Sequence, residues 1–248
     1  MDLRLEGKRA AVAAATAGLG LATARALVEE GAQVVICGRD PARLEEAVAS
    51  LGPNASGVAA DVGDEAGATG FVEQARDRLG GLDILVTNAG GPPAATASAS
   101  SVADYRHAIE LNLVSTVAMA LAAVGPMRAQ RWGRIVAITS IGVRQPISFL
   151  ATSVTARAGA TGFLKVLANE VAPDGVTVNS IQPGSHLTDR LRTLHDDQRD
   201  ALLADIPANT FGDPADFGAA AAFLCSDQAR FITGTSLLVD GGASRGLL

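Results

Sequence analysis

Seven short apolar runs recur along this chain: Arg9–Ala14, Gln33–Cys37, Ser56–Ala60, Ile84–Thr87, Ile135–Thr139, Val176–Ile181 and Ser236–Val239. Each is apolar almost without a break. A strand with one face in water alternates polar and apolar residues, so runs of this kind read as strands covered on both faces. Helical patterns lie between most of them. Strand–helix alternation predicts a parallel sheet with helices on both sides, joined by right-handed crossovers. The expected fold is α/β, a single-domain, doubly wound Rossmann-type sheet of about seven strands. No linker-like break in composition and no repeat divides the 248 residues, a length that suits one large α/β domain.

The first run passes into small residues and glycine, Ala14-Ala15-Thr16-Ala17-Gly18-Leu19-Gly20. A helix-like run from Leu21 to Glu30 follows, apolar at Leu21, Ala24, Leu27 and Val28. Strand, glycine turn and helix in that order aim free helix N–H groups at the turn, where they favour a phosphate. A tight turn that binds nothing has the same pattern. The second strand ends at Gly38-Arg39-Asp40-Pro41, about 20 residues on, where a dinucleotide fold meets the adenosine ribose. Gly38 makes room there, and the Arg39 fork suits a 2′-phosphate, which favours NADP over NAD. Asp40 and Pro41 read as the N-cap and first residue of the next helix. Asp61 sits at the end of the third strand, and Asp64 caps a helix running through Leu79. The fourth strand leads into a sharply turning loop, Thr87-Asn88-Ala89-Gly90-Gly91-Pro92-Pro93.

Composition excludes several classes. The net charge is −6 with no basic block, against nucleic-acid binding. The longest apolar run, Leu113 to Met127, is interrupted by Ser115, Thr116, Gly125 and Pro126, and reads as too short to span a bilayer. The N-terminus has no apolar signal region. Cys37 and Cys225 show neither disulfide nor metal spacing, and no metal site is expected. A reducing cytoplasm fits, with Cys225 as a small buried hydrophobe.

Several motifs together resemble the short-chain dehydrogenase/reductase family over nearly the whole chain. Thr16-Ala17-Gly18-Leu19-Gly20 resembles the second half of its glycine motif, Asp61-Val62 its adenine-contacting pair, and Asn88-Ala89-Gly90 its Asn-Ala-Gly signature. Pro183-Gly184 with Thr188 resembles the segment that holds the nicotinamide. Ile232-Thr233-Gly234 and Val239-Asp240-Gly241-Gly242 resemble its C-terminal tail. Ala14 stands where the family usually has its first glycine, which a negative φ would allow. The resemblance makes Asn112 the residue that kinks a helix and holds a relay water, and Ser140 the serine that bonds the substrate carbonyl. It also implies a homotetramer or homodimer. Two helices, Leu113–Val124 and Ala151–Val171, are apolar or small on almost every face, so a second subunit should cover what the sheet does not.

The resemblance fails where the family has its general acid. A tyrosine is expected thirteen residues after the serine, with a lysine four further on, and here those positions are Ser153 and Arg157. The chain has one tyrosine, Tyr105, and its lysines are Lys8 and Lys165, so no Tyr-x-x-x-Lys exists anywhere. Tyr105 reads as packed. Ser153 and Arg157 still share one helical face. Arg157 can grip ribose hydroxyls but stays charged, and a serine is a far poorer acid than a phenol. His186, after Pro183-Gly184, would face the site and is the best-tuned substitute acid in the chain, but an ordinary loop histidine is the preferred reading. His107 and His195 read as surface residues. Residues 187–211 suit a lid. Two functions remain open: an NADPH-dependent reductase of a 3-oxoacyl thioester or ketone, with the proton from a water held by Ser140, Ser153 and Asn112 or from His186, and a non-catalytic NADP-binding sensor or subunit partner.

Overall fold

Strands β1 (Arg9–Val12), β2 (Gln33–Gly38), β3 (Ala55–Ala59), β4 (Ile84–Thr87), β5 (Gly133–Ile138), β6 (Val176–Pro183) and β7 (Ser236–Val239) form a parallel sheet in the order β3-β2-β1-β4-β5-β6-β7. This computed structural model describes residues 2–246. The connecting helices are α1 (Gly18–Glu29), α2 (Pro41–Leu51), α3 (Glu65–Leu79), α4 (Val102–Ile109), α5 (Ser115–Ala129), α6 (Ala151–Val171), α7 (Asp189–Arg192), α8 (Asp196–Ala204) and α9 (Pro214–Leu224).

Alternate strand residues enter two cores, one on each face of the sheet. Ala11, Val35, Leu85, Ile135 and Val178 pack under α3, α5 and α6. Ala10, Val12, Val34, Ile36, Ile84, Val86 and Ile181 pack under α1, α2 and α9. Both faces of β1, β2, β4 and β5 are covered, so their side chains are almost all apolar, whereas β6 buries Thr177, Asn179, Ser180 and Gln182 as well. Because β1 lies between β2 and β4, successive crossovers leave it in opposite directions and open a crevice at the carboxyl ends of the strands.

Local chemistry sets the helix starts. The Asp40 carboxylate accepts from the N–H groups of Ala42 and Arg43, Asp64 from Gly67, and Asp213 from Ala215. A π-helical turn, Glu110–Val114, joins α4 to α5 and contains Asn112. The joined run Val102–Ala129 is 28 residues long and apolar enough to cross a membrane by length and composition. The apolar run Leu113–Met127 is only part of this helical stretch, because the π turn carries the helix through Asn112. In this fold Met119, Ala120, Ala123 and Met127 face the sheet and are buried in its core.

Candidate active site

The loops after β1, β4, β5 and β6 meet at the carboxyl edge. The turn after β1 is strapped from two sides. The Ala15 N–H donates to Cys37 O at 3.0 Å and the Ala14 N–H to Cys37 Sγ at 3.3 Å. The Asn88 amide donates to the carbonyls of Ala13 and Ala14, at 3.3 and 3.1 Å. Between these straps Ala14 takes φ +46°, not the negative value expected from its side chain. A Cβ on Gly20 would lie 2.8 Å from Asn88 Nδ2 and 3.0 Å from Ala14 O, so the helix enters at a distance only glycine permits. Burial pushes the Cys37 thiol up to about 12, which leaves it a neutral packing group.

Helix α1 differs from its neighbours at its start. Its N-cap is Ala17, with no side chain accepting from the first turn, and no acid lies in that turn. The N–H groups of Gly18, Leu19 and Gly20 therefore stay available to an external anion. Thr188 stands across from them: a Cβ on Gly18 would be 3.6 Å from Thr188 Cγ2. A cleft of about 570 Å³ opens here, lined by Thr16, Gly18, Thr188, Arg25 and Arg43 among others. Thr16 packs on Gly38 so closely that a Cβ there would lie 2.3 Å from Thr16 Cγ2. Gly38 is thus required by its contact with Thr16. The Arg39 guanidinium is exposed and stands 3.8 Å from the Asp61 carboxylate. Asp61 also accepts from the Gly63 N–H, while Val62 is buried in the core.

The loop after β4 ties three elements with three consecutive residues. Asn88 straps the first turn, as above. The Ala89 carbonyl accepts from Arg157 Nη2 at 3.4 Å, and the Gly90 carbonyl from the Asn112 amide at 2.9 Å. Arg157 also donates from Nη1 to Ile138 O at 2.9 Å and from Nε to Ser153 Oγ at 3.3 Å. Ser140, just past β5, accepts from the Gly142 N–H at 3.0 Å. A Cβ on Gly142 would lie 3.2 Å from Ser140 Oγ and 3.1 Å from Val154 Cγ2, so this bend sets Ser140 against the α6 turn that carries Ser153. The loop after β4 thus links Asn112 with Arg157 and, through it, Ser153, while Ser140 lies at the bend packed near Val154.

After β6, the Gly184 N–H donates to Val239 O, and a Cβ on it would be 2.8 Å from Asp240 Cα. His186 lies in the loop after β6 but is turned into the core. It is 5% exposed, packs edge-on against Phe217 with ring centroids 5.2 Å apart, and holds Gly184 O at 3.2 Å. Burial pushes its pKa below the ordinary imidazole value, so it is neutral at pH 7 and is not presented as an acid. The helical histidines His107 and His195 are exposed as expected.

The family model described as enoyl-(acyl carrier protein) reductase matches residues 13–244. The chain belongs to the short-chain dehydrogenase/reductase family of oxidoreductases. It is 37% identical to the 3-oxoacyl-[acyl-carrier-protein] reductase FabG of Vibrio cholerae, over 97% of this chain and 98% of that one. It is 38% identical to FabG of Salmonella typhimurium with the same coverage. Among solved structures it resembles L-sorbose reductase from Gluconobacter frateurii complexed with NADPH and L-sorbose. That match has a TM-score of 0.93, 32% identity and full coverage of both chains.

This short-chain dehydrogenase/reductase also contains site features that its sequence did not announce. Gln182, one residue before Pro183, is fully buried with neither amide atom bonded to protein, and Thr87 Oγ1 and Asn112 Oδ1 are likewise buried without a partner. The Ile138 and Ala89 carbonyls that hold Arg157 are backbone groups and leave no mark in a sequence. Gly142 was legible only as a glycine two residues after a strand-end serine.

Proposed function

We propose that this protein binds NADP(H) at the carboxyl edge of its sheet and reduces a carbonyl compound, a 3-oxoacyl thioester or ketone, to an alcohol. The start of α1, uncapped and set at the glycine turn after β1, is the observation that carries the reading; α2, α3 and α9 are capped by aspartate, whereas α6 is uncapped but follows no such turn. It leaves N–H donors for a pyrophosphate, at a turn where glycines keep the backbone open. The residues present fit the cofactor. Ala14, Thr16, Ala17, Gly18, Leu19 and Gly20 would line the phosphates. Arg39 would take the 2′-phosphate, and Asp61 and Val62 the adenine. Asn88, Ala89, Gly90, Pro183, Gly184 and Thr188 would hold the nicotinamide end. NADPH is the ligand of the sorbose reductase complex, and the FabG relatives are named for 3-oxoacyl reduction.

When bound, the cofactor supplies a hydride. Ser140 holds the carbonyl oxygen, Asn112 anchors the loop after β4, and Arg157 fixes Ser153. In our reading Ser153 and Arg157 stand where the family has its tyrosine and lysine. Neither can give up a proton near neutral pH, so the proton comes from water. Residues 187–211, with α7 and α8, form the lid beside Thr188. Leu121 and Val166, exposed at 56% and 68% on α5 and α6, support a homodimer or homotetramer. Two free, buried cysteines suit the cytoplasm.

The test is NADPH consumption over a panel of ketones and 3-oxo thioesters, native protein against Ser153→Tyr/Arg157→Lys. A positioned general acid contributes about 10²–10⁴-fold, so the double variant should be the faster enzyme toward simple ketones. Calorimetry should give tighter binding of NADPH than of NADH. Binding of NADPH with no turnover by either protein would favour the second reading, a non-catalytic NADP-binding sensor or subunit partner. The guanidinium engaged on two backbone carbonyls supports that alternative.

A further inference from the structure

Arg25, Arg43 and Arg192 line the cleft that opens beside the glycine turn, and Arg39 lies outside that lining. Their partners separate them. The Arg25 guanidinium is held on Ser50, donating to its carbonyl at 2.9 Å and to its hydroxyl at 3.1 Å. Arg192 is paired with Asp189 at 3.4 Å, and Arg39 with Asp61 at 3.8 Å. Among the described residues the Arg43 guanidinium has no such partner. Its backbone N–H bonds to the Asp40 cap, while its exposed side chain lines the cleft.

The Arg25–Ser50 contact also fixes the height of Arg43. Helices α1 and α2 follow the neighbouring parallel strands β1 and β2, so both start at the carboxyl edge and run away from it. Arg25 lies seven residues after Gly18, and Ser50 seven after Arg43. At 1.5 Å per residue each is about 10 Å further from that edge. With Arg25 and Ser50 in contact, Arg43 stands level with Gly18, the first residue of α1. Arg43 therefore shares the head of the cleft with Thr16, Ala17 and the uncapped N–H groups of α1.

We propose that Arg43 is the residue that selects NADPH over NADH in this protein, gripping the 2′-phosphate from the first turn of α2, with Arg39 as the lesser partner. The proposal rests on the reading that NADP(H) binds at this edge, and it names the group that discriminates there. A pyrophosphate on the N–H groups of α1 sends the adenosine ribose toward β2, the strand that α2 follows. A 2′-phosphate on that ribose then comes to the head of α2. There an unpaired guanidinium offers its fork of N–H donors with no carboxylate to displace. On Arg39 the same phosphate meets the Asp61 carboxylate, whose repulsion offsets part of the attraction. Arg25 and Arg192 are already engaged, Arg25 about 10 Å further down the cleft.

The test is calorimetric and needs no turnover. NADPH, NADH, adenosine 2′,5′-bisphosphate and AMP are each titrated into the native protein and its variants. The two short ligands carry no nicotinamide, so they report on this end of the site alone. In Arg43→Ala the affinities for NADPH and the bisphosphate should fall about tenfold or more, as for one lost charge-assisted contact, while those for NADH and AMP stay within about twofold. Arg43→Lys should keep part of the preference, and Arg43→Glu should reverse it. Arg39→Ala should cost less NADPH affinity than Arg43→Ala, and Arg25→Ala should leave the preference as it is. Arg43 is exposed, and circular dichroism should show its variants folded. An Arg43→Ala protein that keeps its preference, or that loses NADH as steeply as NADPH, overturns this inference and leaves the cofactor reading standing. A larger loss in Arg39→Ala or Arg25→Ala does the same. A native protein that binds none of the four ligands overturns both.

Discussion

Ala14 holds a left-handed backbone, φ +46°, that costs an L-residue about 1–2 kcal/mol relative to glycine. The straps from Cys37 and Asn88 on either side impose it. Ala14→Gly should therefore raise stability by about 1 kcal/mol, after the extra freedom of glycine in the unfolded chain is deducted. A shift of the urea midpoint at constant slope would measure it, and a loss of stability would show that the turn is not under strain. His186 yields a pH dependence. Burial lowers its pKa, and Gly184 O with the carboxylates of Asp216, Asp213 and Asp240 pulls only partly the other way. In the unfolded chain the imidazole takes its proton near 6.5. The unfolded state thus binds more protons as pH falls through that value, and stability drops with it. Thermal melts from about pH 7.5 to about pH 5.5 should show this decline, and His186→Gln should flatten it.

At the level of elements, the loop Asn88-Ala89-Gly90 is the joint of the site. Removing its first side chain, Asn88→Ala, leaves the Ala13 and Ala14 carbonyls without that donor. It should cost about 1–3 kcal/mol of stability and weaken NADPH binding, read by denaturation and calorimetry on the same preparation. Much of this scale was legible beforehand. The seven apolar runs fall on the seven strands, because a strand buried on both faces has no polar register to obscure it. Asp40 and Asp64 read as caps and act as caps, since capping depends on residues two or three apart. What escaped depends on partners far away in sequence. The sign of φ at Ala14 is decided by Cys37 and Asn88. The side on which His186 is buried is decided by Phe217, and Gly38 answers to Thr16. The seat of Arg157 is built from two carbonyls that any residue would offer.

Over the whole molecule, neighbouring residues on α6 separate core from surface. Leu167 is 5% exposed and packs under the sheet, whereas Val166 is 68% exposed. Leu167→Glu buries an unpaired carboxylate at a cost of several kcal/mol and should prevent folding. Val166→Glu should leave the circular dichroism spectrum native while lowering the mass found by analytical ultracentrifugation. An unchanged mass would remove this face from the subunit contact. The order of the sheet also bears on how the chain is made. β1, made before the other six strands, takes a place between β2 and β4. Its helix α1 is covered by α9, made after β6, at a crossing so close that a Cβ on Gly218 would lie 2.4 Å from Ala22 O. The side of α1 that α9 covers therefore waits until α9 has been made, and Gly18 meets Thr188 only after β6 has emerged. A nascent chain that stops short of α9 would expose that face, so the glycine turn and its helix are completed by an element made long after them rather than by the strands that flank them.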